Sequence, residues 1–258
     1  MHCLYGLQQM GLFFELKGGT SLSKGFGIIQ RFSEDIDLRI EPPKDIIVKV
    51  GKKPAHVESR AKFYDYLAAT IKIHGIVSVV RDHKFDDLTG QMRSGGIRLA
   101  YKNFVVPLEG LKEGILLELG FDVTSPNEKK DISSWMMDAV LKRGVKGITD
   151  NRALAVPCYH PGYTLVEKLQ AVSTKFRKQQ ISGAFHENFL RHYYDIACLL
   201  QHPTVQELIG TPAYQEHKKE RFRTGDNQLL RNYTADHYEQ QYSHLAFFYH
   251  NAEPRRPF

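Results

Sequence analysis

Residues 17–38, KGGTSLSKGFGIIQRFSEDIDL, hold two elements whose residue types and spacing suit chemistry. The first is Gly18-Gly19-Thr20-Ser21, where paired glycines permit a tight turn and a close backbone approach to a ligand. The second is Asp35-x-Asp37, two carboxylates able to share a hard divalent cation such as Mg²⁺ with substrate phosphates. A phosphate turn and a metal pair this close together point to nucleotide chemistry, and to nucleotidyl transfer in particular. Either element alone is ordinarily structural: Gly-Gly is a common turn and a lone Asp-x-Asp is ordinarily a solvated strand face. Lys24 is not part of a Gly-Lys-Ser/Thr triplet, so the stretch is no P-loop.

The elements that must position these groups follow from the local pattern. Phe13, Phe14 and Leu16 read as the end of a buried strand. Thr20 or Ser21 is placed to cap a helix over residues 22–28, whose free N–H groups and dipole favour an anion. After a polar loop over residues 30–34, residues 35–40 alternate as a strand. Asp35, Asp37 and Arg39 share one face; Ile36, Leu38 and Ile40 share the other. Residues 115–122 alternate likewise, with Glu118, Gly120 and Asp122 opposite Leu117, Leu119 and Phe121.

Further along, residues 4–10 read as the end of a helix, 45–50 as strand-like and 59–73 as a helix. Residues 76–81 and 97–106 read as strands, with a turn at Gly95-Gly96, and 133–142 as a short helix. The proline-punctuated stretch over residues 156–162 reads as a connection and the best domain boundary. Beyond it the pattern is helical. Leu165, Leu169, Val172 and Phe176 form an apolar stripe with Lys168 and Lys175 on its edge. Such lysines commonly snorkel; they can also lean into a cleft. Asp195 lies four residues after Arg191, so a local ion pair worth about 0.3–0.5 kcal/mol is the ordinary expectation. The neighbouring His192 can be a base contact or a packed side chain.

The 258 residues carry a net charge of +6 and 42% hydrophobic residues, a globular composition with room for one large domain or two modest ones. The charge permits a polyanionic partner such as RNA. Cys3, Cys158 and Cys198 are isolated, which argues against a zinc site or disulfide framework and for a reduced, cytoplasmic protein. No window approaches the ~20 apolar residues of a membrane span. Lys218, Lys219, Arg221, Phe222, Arg223, Arg231 and Tyr233 interleave basic and aromatic residues, a mixture suited to RNA contacts or, more commonly, to the wet face of an amphipathic helix.

These stretches resemble the nucleotidyltransferase toxins of the AbiEii/AbiGii family, from bacterial abortive-infection and toxin–antitoxin pairs, within the polymerase-β-like superfamily. The glycine turn and the Asp pair match its first two motifs. Leu165-Val166-Glu167-Lys168-Leu169-Gln170-Ala171 is similar to its Glu-Lys-Leu-x-Ala motif, Arg191-His192-Tyr193-Tyr194-Asp195-Ile196 to its fourth, and Glu118-Leu119-Gly120 to its Glu-x-Gly strand. The resemblance implies an α+β nucleotidyltransferase fold over residues 1–155 and a helical domain over 156–258 that completes the cleft. Compared with that family the segment before the first strand is short, which predicts weak support for that strand.

The resemblance also implies roles. Gly18, Gly19, Thr20 and Ser21 would hold NTP phosphates, with Lys168 offsetting their charge. Asp35, Asp37 and Glu118 would hold Mg²⁺ or Mn²⁺, or Glu118 would act as base, with Asp122 as its understudy. Asp195 would position Lys168, a nucleotide group or the acceptor. It implies NMP transfer to an RNA, with the tRNA 3′ end as leading acceptor, and a cognate antitoxin. The competing readings are a small-molecule or protein nucleotidyltransferase and a non-catalytic nucleotide-binding module.

Overall fold

The computed structural model describes residues 1–33, 35–102, 113–184, 189–222 and 224–225. Residues 103–106, Glu34, Arg223, Arg231 and Tyr233, all named above, lie outside them. Among the described residues seven strands form one mixed sheet: β1 (Phe14–Lys17), β2 (Asp35–Ile40), β3 (Ile76–Asp82), β4 (Ser94–Tyr101), β5 (Ile115–Gly120), β6 (Asn127–Ile132) and β7 (Ala153–Tyr159). Their order is β3-β4-β5-β2-β1-β7-β6. The β2–β5 and β1–β7 pairs are parallel and the others antiparallel. The helices are α1 (His2–Gln9), α2 (Gly18–Thr20), α3 (Pro54–Thr70), α4 (Trp135–Lys142), α5 (Pro161–Ser182), α6 (Leu190–Leu200), α7 (Pro203–Leu208) and α8 (Pro212–Arg221). A π-helical turn, Ser21–Gly25, continues α2. The expected mixture of a sheet with flanking helices is what the chain forms. No described helix is long and apolar enough to cross a membrane, and all three cysteines are free.

The period-2 pattern of β2 and β5 is realised as read: Ile36, Leu38 and Ile40, and likewise Leu117 and Leu119, are buried. They join Phe14, Leu16, Phe63 and Leu67 in the main core beneath α1 and α3. The weak support expected for β1 is not what the structure shows: α1 buries Cys3, Leu4 and Leu7 completely in this core. A fully buried leucine contributes about 1.5–3 kcal/mol relative to an exposed one. Phe13, expected inside, is half exposed because the strand begins one residue later.

A second cluster positions the site. Leu22 in the π-helical turn and Ile29 beyond it pack with Leu165 of α5, Leu199 of α6 and Val205 of α7. The helical segment is thereby seated on the helix that opens at the glycine pair. Helix α5 begins with Pro161 in its first turn and a cap in which the Gly162 N–H donates to His160 Nδ1 at 3.1 Å. Gly162 has no room for a β-carbon because Leu208 of α7 lies against it.

Three local expectations give way. Residues 45–50 form a loop, not a strand. Its carbonyls are taken up by the buried Arg60 guanidinium, which donates to Lys49 O at 2.7 Å and Gly51 O at 2.9 Å. Gly95 and Gly96 lie inside β4 rather than at a turn. A β-carbon would stand 2.8 Å from the Tyr64 ring at Gly95 and 2.7 Å from the Asp82 carbonyl at Gly96, so the glycines serve close packing. Finally, residues 156–159 are the second half of β7, paired with β1 and β6, rather than a connection. The proposed 155/156 boundary therefore falls inside a strand.

Candidate active site

The strand registers set one row of side chains across the sheet. Asp37 stands opposite Lys17 on β1 and opposite Glu118 on β5, and Glu118 stands opposite Gly96 on β4. Residues directly opposite share a face, with β-carbons about 4.5–5.5 Å apart. Asp35 lies two residues back along the same face of β2. Arg39, two residues on, is engaged by Glu15 at 3.3 Å and Glu41 at 3.1 Å.

Gly18 follows Lys17 directly, with φ +66°, and a β-carbon there would collide with the Asp37 carboxylate. A β-carbon on Gly19 would lie 2.8 Å from Ser33 Oγ and 3.1 Å from Arg31 Nη2. The glycine pair thus makes room for two functional side chains. The helix starts earlier than the sequence pattern predicts: Lys17, not Thr20 or Ser21, is the cap residue, without a side-chain cap bond. Thr20 is buried and its hydroxyl donates to the Asp35 carbonyl at 2.8 Å, fastening the helix to β2. Ser21 is completely buried, with its hydroxyl facing Cys158. Any contact of Thr20 or Ser21 with an anion therefore falls to the first-turn backbone N–H groups, which have no intrahelical partner.

The helical half supplies the opposite charge. Asp195 is completely buried on α6. Its two oxygens accept from Arg31 Nε and Nη2, each at 2.7 Å, and Lys168 Nζ on α5 lies 2.9 Å from Oδ2. Burial alone would raise its pKa, but the Arg31 hydrogen bonds and the Lys168 charge outweigh burial and hold it below the ordinary value. Asp195 thus meets Lys168, one of the partners named for it above, together with Arg31, rather than the local Arg191 of the ordinary reading. His192 is a packed residue, and its Nε2 lies 2.9 Å from Lys175 Nζ.

These cations bear on the carboxylates. Burial raises Asp37, Lys17 and Lys168 draw it back, and Asp35 adds repulsion. Glu118 is pushed up to about 7 by burial and then by Asp37 and Asp35, against Lys17 and Arg191. Clustered, partly desolvated carboxylates are a donor set that a divalent cation would relieve, and hard oxygens suit Mg²⁺ or Mn²⁺. Among the described residues no three His, Cys, Asp or Glu side chains are arranged to hold a metal by themselves. Mg²⁺ commonly takes one or two carboxylates and completes its shell with water and phosphate. The residues present fit that mode, with the bare Cα of Gly18 leaving the Asp37 carboxylate its place.

A cleft of about 620 Å³ opens over this row, reaching Asp37, Glu118, Gly120, Asp122 and Arg221. Asp122 is held by Arg221 at 3.4 Å, and Arg221 also meets Glu167 at 2.6 Å. The proposed site residues therefore fall into a strand half (Asp35, Asp37, Glu118), a turn (Gly18, Gly19) and a helical half (Lys168, Asp195). Sequence reasoning missed Lys17 and Arg31. Lys17 was visible as the residue before the glycine pair; Arg31 meets Asp195 across 164 positions, which no local pattern records.

The family model described as "Nucleotidyl transferase AbiEii toxin, Type IV TA system" matches residues 3–254. No curated protein matches the chain. Among solved structures, an antigenic nucleotidyltransferase-like protein from Paracoccidioides brasiliensis is 14% identical, over 86% of this chain and 91% of that one. Its TM-score of 0.34 is too low for residues to be matched between the two.

Proposed function

The chain belongs to the AbiEii nucleotidyl transferase toxin family of type IV toxin–antitoxin systems, and from that premise we propose that it transfers NMP from an NTP to an RNA, with a tRNA 3′ end as the leading acceptor. Membership also implies an antitoxin partner. The observation that carries the reading is the register row Lys17–Asp37–Glu118 beside the Gly18–Gly19 turn.

In this reading the first-turn N–H groups and Lys168 receive the β- and γ-phosphates. Asp35 and Asp37, with or without Glu118, would hold Mg²⁺ or Mn²⁺, which when bound supplies positive charge against phosphate oxygens. Lys17 faces Asp37 and adds fixed positive charge to the same cleft. Glu118, poised near 7, accepts the proton of the attacking hydroxyl if it is not taken up as a ligand. Attack at the α-phosphorus expels pyrophosphate, and most of the acceleration comes from alignment and charge complementarity.

The family reading and the net charge of +6 support an RNA over a polycationic antibiotic, while the cleft lining itself is close to charge balance. Beyond the catalytic carboxylates it presents Lys17, Lys52, Arg93 and Arg221 against Asp87, Asp122 and Glu220. Asp87 is absorbed by its own loop, accepting from Thr89 at 2.8 Å and from the Arg93 N–H at 3.2 Å. The test is incubation with each α-labelled NTP, Mg²⁺ and total RNA. Label should enter small RNA with the wild type and be lost with Asp37→Asn. Label on protein or a small molecule, or on nothing, would remove the RNA reading.

A further inference from the structure

Arg31 belongs to none of the matched motifs, yet it makes two short polar contacts to the helical half. Its Nε and Nη2 grip both oxygens of Asp195 at 2.7 Å, and its Nη1 donates to the Phe32 carbonyl at 3.0 Å. A bidentate fork of this kind fixes orientation as well as charge, which a lysine cannot do. The carboxylate it grips is completely buried and also holds Lys168. The Arg31 and Lys168 side chains are only 20% and 14% exposed.

The charge count of this triad is the informative feature. With Arg31 present, two cations share one carboxylate and the triad carries a net +1. Without it, Lys168 and Asp195 would neutralise each other, and the lysine would have little charge left for a substrate. The positive charge of Lys168 also bears on Asp37, where with Lys17 it partly opposes the upward push of burial. Arg31 also abuts the glycine turn, its Nη2 lying 3.1 Å from where a Gly19 β-carbon would stand.

We infer that Arg31 is a positioning residue for Lys168: it absorbs the Asp195 charge so that the Lys168 ammonium remains available to an NTP triphosphate, and it ties the glycine turn to α6. The inference rests on the nucleotidyl-transfer reading given above, in which Lys168 meets phosphate.

The test uses the full chain and three variants: Arg31→Gln, Arg31→Lys and Arg31→Gln/Asp195→Asn. Binding of each NTP and of inorganic tripolyphosphate is measured by calorimetry with Mg²⁺, beside KM and kcat for label transfer. Arg31→Gln brings the triad to net zero and should weaken tripolyphosphate and NTP binding by about 10–100-fold. The double variant returns the triad to net +1 by removing the negative charge. It should recover a large part of that affinity although it lacks both partners of the lock, an outcome a purely structural role does not give. Arg31→Lys should fall in between.

Arg31→Gln binding like the wild type, or the double variant binding no better than Arg31→Gln, would overturn the inference. Should Arg31→Gln fail to fold, Arg31→Lys is compared with Arg31→Lys/Asp195→Asn, which takes the triad from net +1 to net +2, and removal of the carboxylate must then tighten binding. A wild-type chain that binds no NTP and labels nothing would sink the transfer reading itself; a working wild type with indifferent Arg31 variants sinks only this inference.

Discussion

Gly18 lies so close to Asp37 that a β-carbon on it would overlap the carboxylate, and its φ of +66° lies in the left-handed region. The glycine is therefore doubly constrained, by backbone and by the metal-pair side chain. Gly18→Ala should destabilise the fold by about 1–3 kcal/mol and abolish label transfer, because Asp37 must move. Gly11 is the control: its φ is +73° but nothing lies within 4 Å of its β-position. Gly11→Ala should cost about 1 kcal/mol and leave transfer intact. Denaturant midpoints and the labelling assay read both. Equal activity in the two variants would mean that the Asp37 position is not critical.

Asp37 and Glu118 both have raised pKa values, first through burial, so their charged forms are uncomfortable in the metal-free fold. Asp37→Asn should then be as stable as the wild type, or more stable, in EDTA, while transfer falls by at least about 100-fold. Mg²⁺ should raise the melting temperature of the wild type and not of Asp37→Asn, since a ligand that binds only the native state stabilises it by mass action. An equal Mg²⁺ shift in both proteins would place the ion elsewhere.

Much of the site was legible in single elements, and little of it between elements. Alternation placed Asp35, Asp37 and Glu118 on their strand faces, because a half-buried strand has period 2. What alternation cannot show is register: that Asp37 faces Lys17 and Glu118 depends on strands 20 and 81 positions apart choosing their partners. Helical spacing put Lys168 on the edge of its stripe, and the family resemblance singled out Lys168 and Asp195. The second partner of Asp195, Arg31, came from a loop that looked merely polar. The misread glycines and proline failed for one reason. Gly95, Gly96 and Pro157 are turn formers by local preference, and the sheet overrode that preference where ring packing and neighbouring strands demanded it.

The small core cluster makes a separate prediction. Leu199 is completely buried against Leu22, Ile29, Leu165 and Val205, and this contact seats the helices on the glycine-opened turn. Leu199→Ala should cost about 2–5 kcal/mol. Because Lys168 and Asp195 ride on those helices, KM for NTP should rise even at temperatures where the variant is fully folded. A stability loss with unchanged KM would show that the Arg31–Asp195 lock holds the halves in register without this packing.

His192 gives the pH prediction. Burial, followed by the positive charges of Lys168, Lys175 and Arg191, lowers its pKa to about 3; the opposing pull of Asp195 is weaker. The native state therefore keeps this imidazole neutral, with Nε2 facing Lys175, while an unfolded chain protonates it near 6.5. The sign follows: the contribution is fully present above pH 6.5 and is lost as pH falls towards 3, because the unfolded state then binds the extra proton. The slope is about 1.4 kcal/mol per pH unit, or about 2 kcal/mol between pH 6.5 and 5. His192→Gln keeps an acceptor for Lys175 but does not titrate. Denaturant unfolding of both proteins at pH 7 and pH 5 should show the variant losing about 2 kcal/mol less on acidification than the wild type. Other groups titrate alike in the two proteins and cancel in this difference. Parallel pH profiles would mean that His192 is protonated in the native state and that its contact with Lys175 does not form as described.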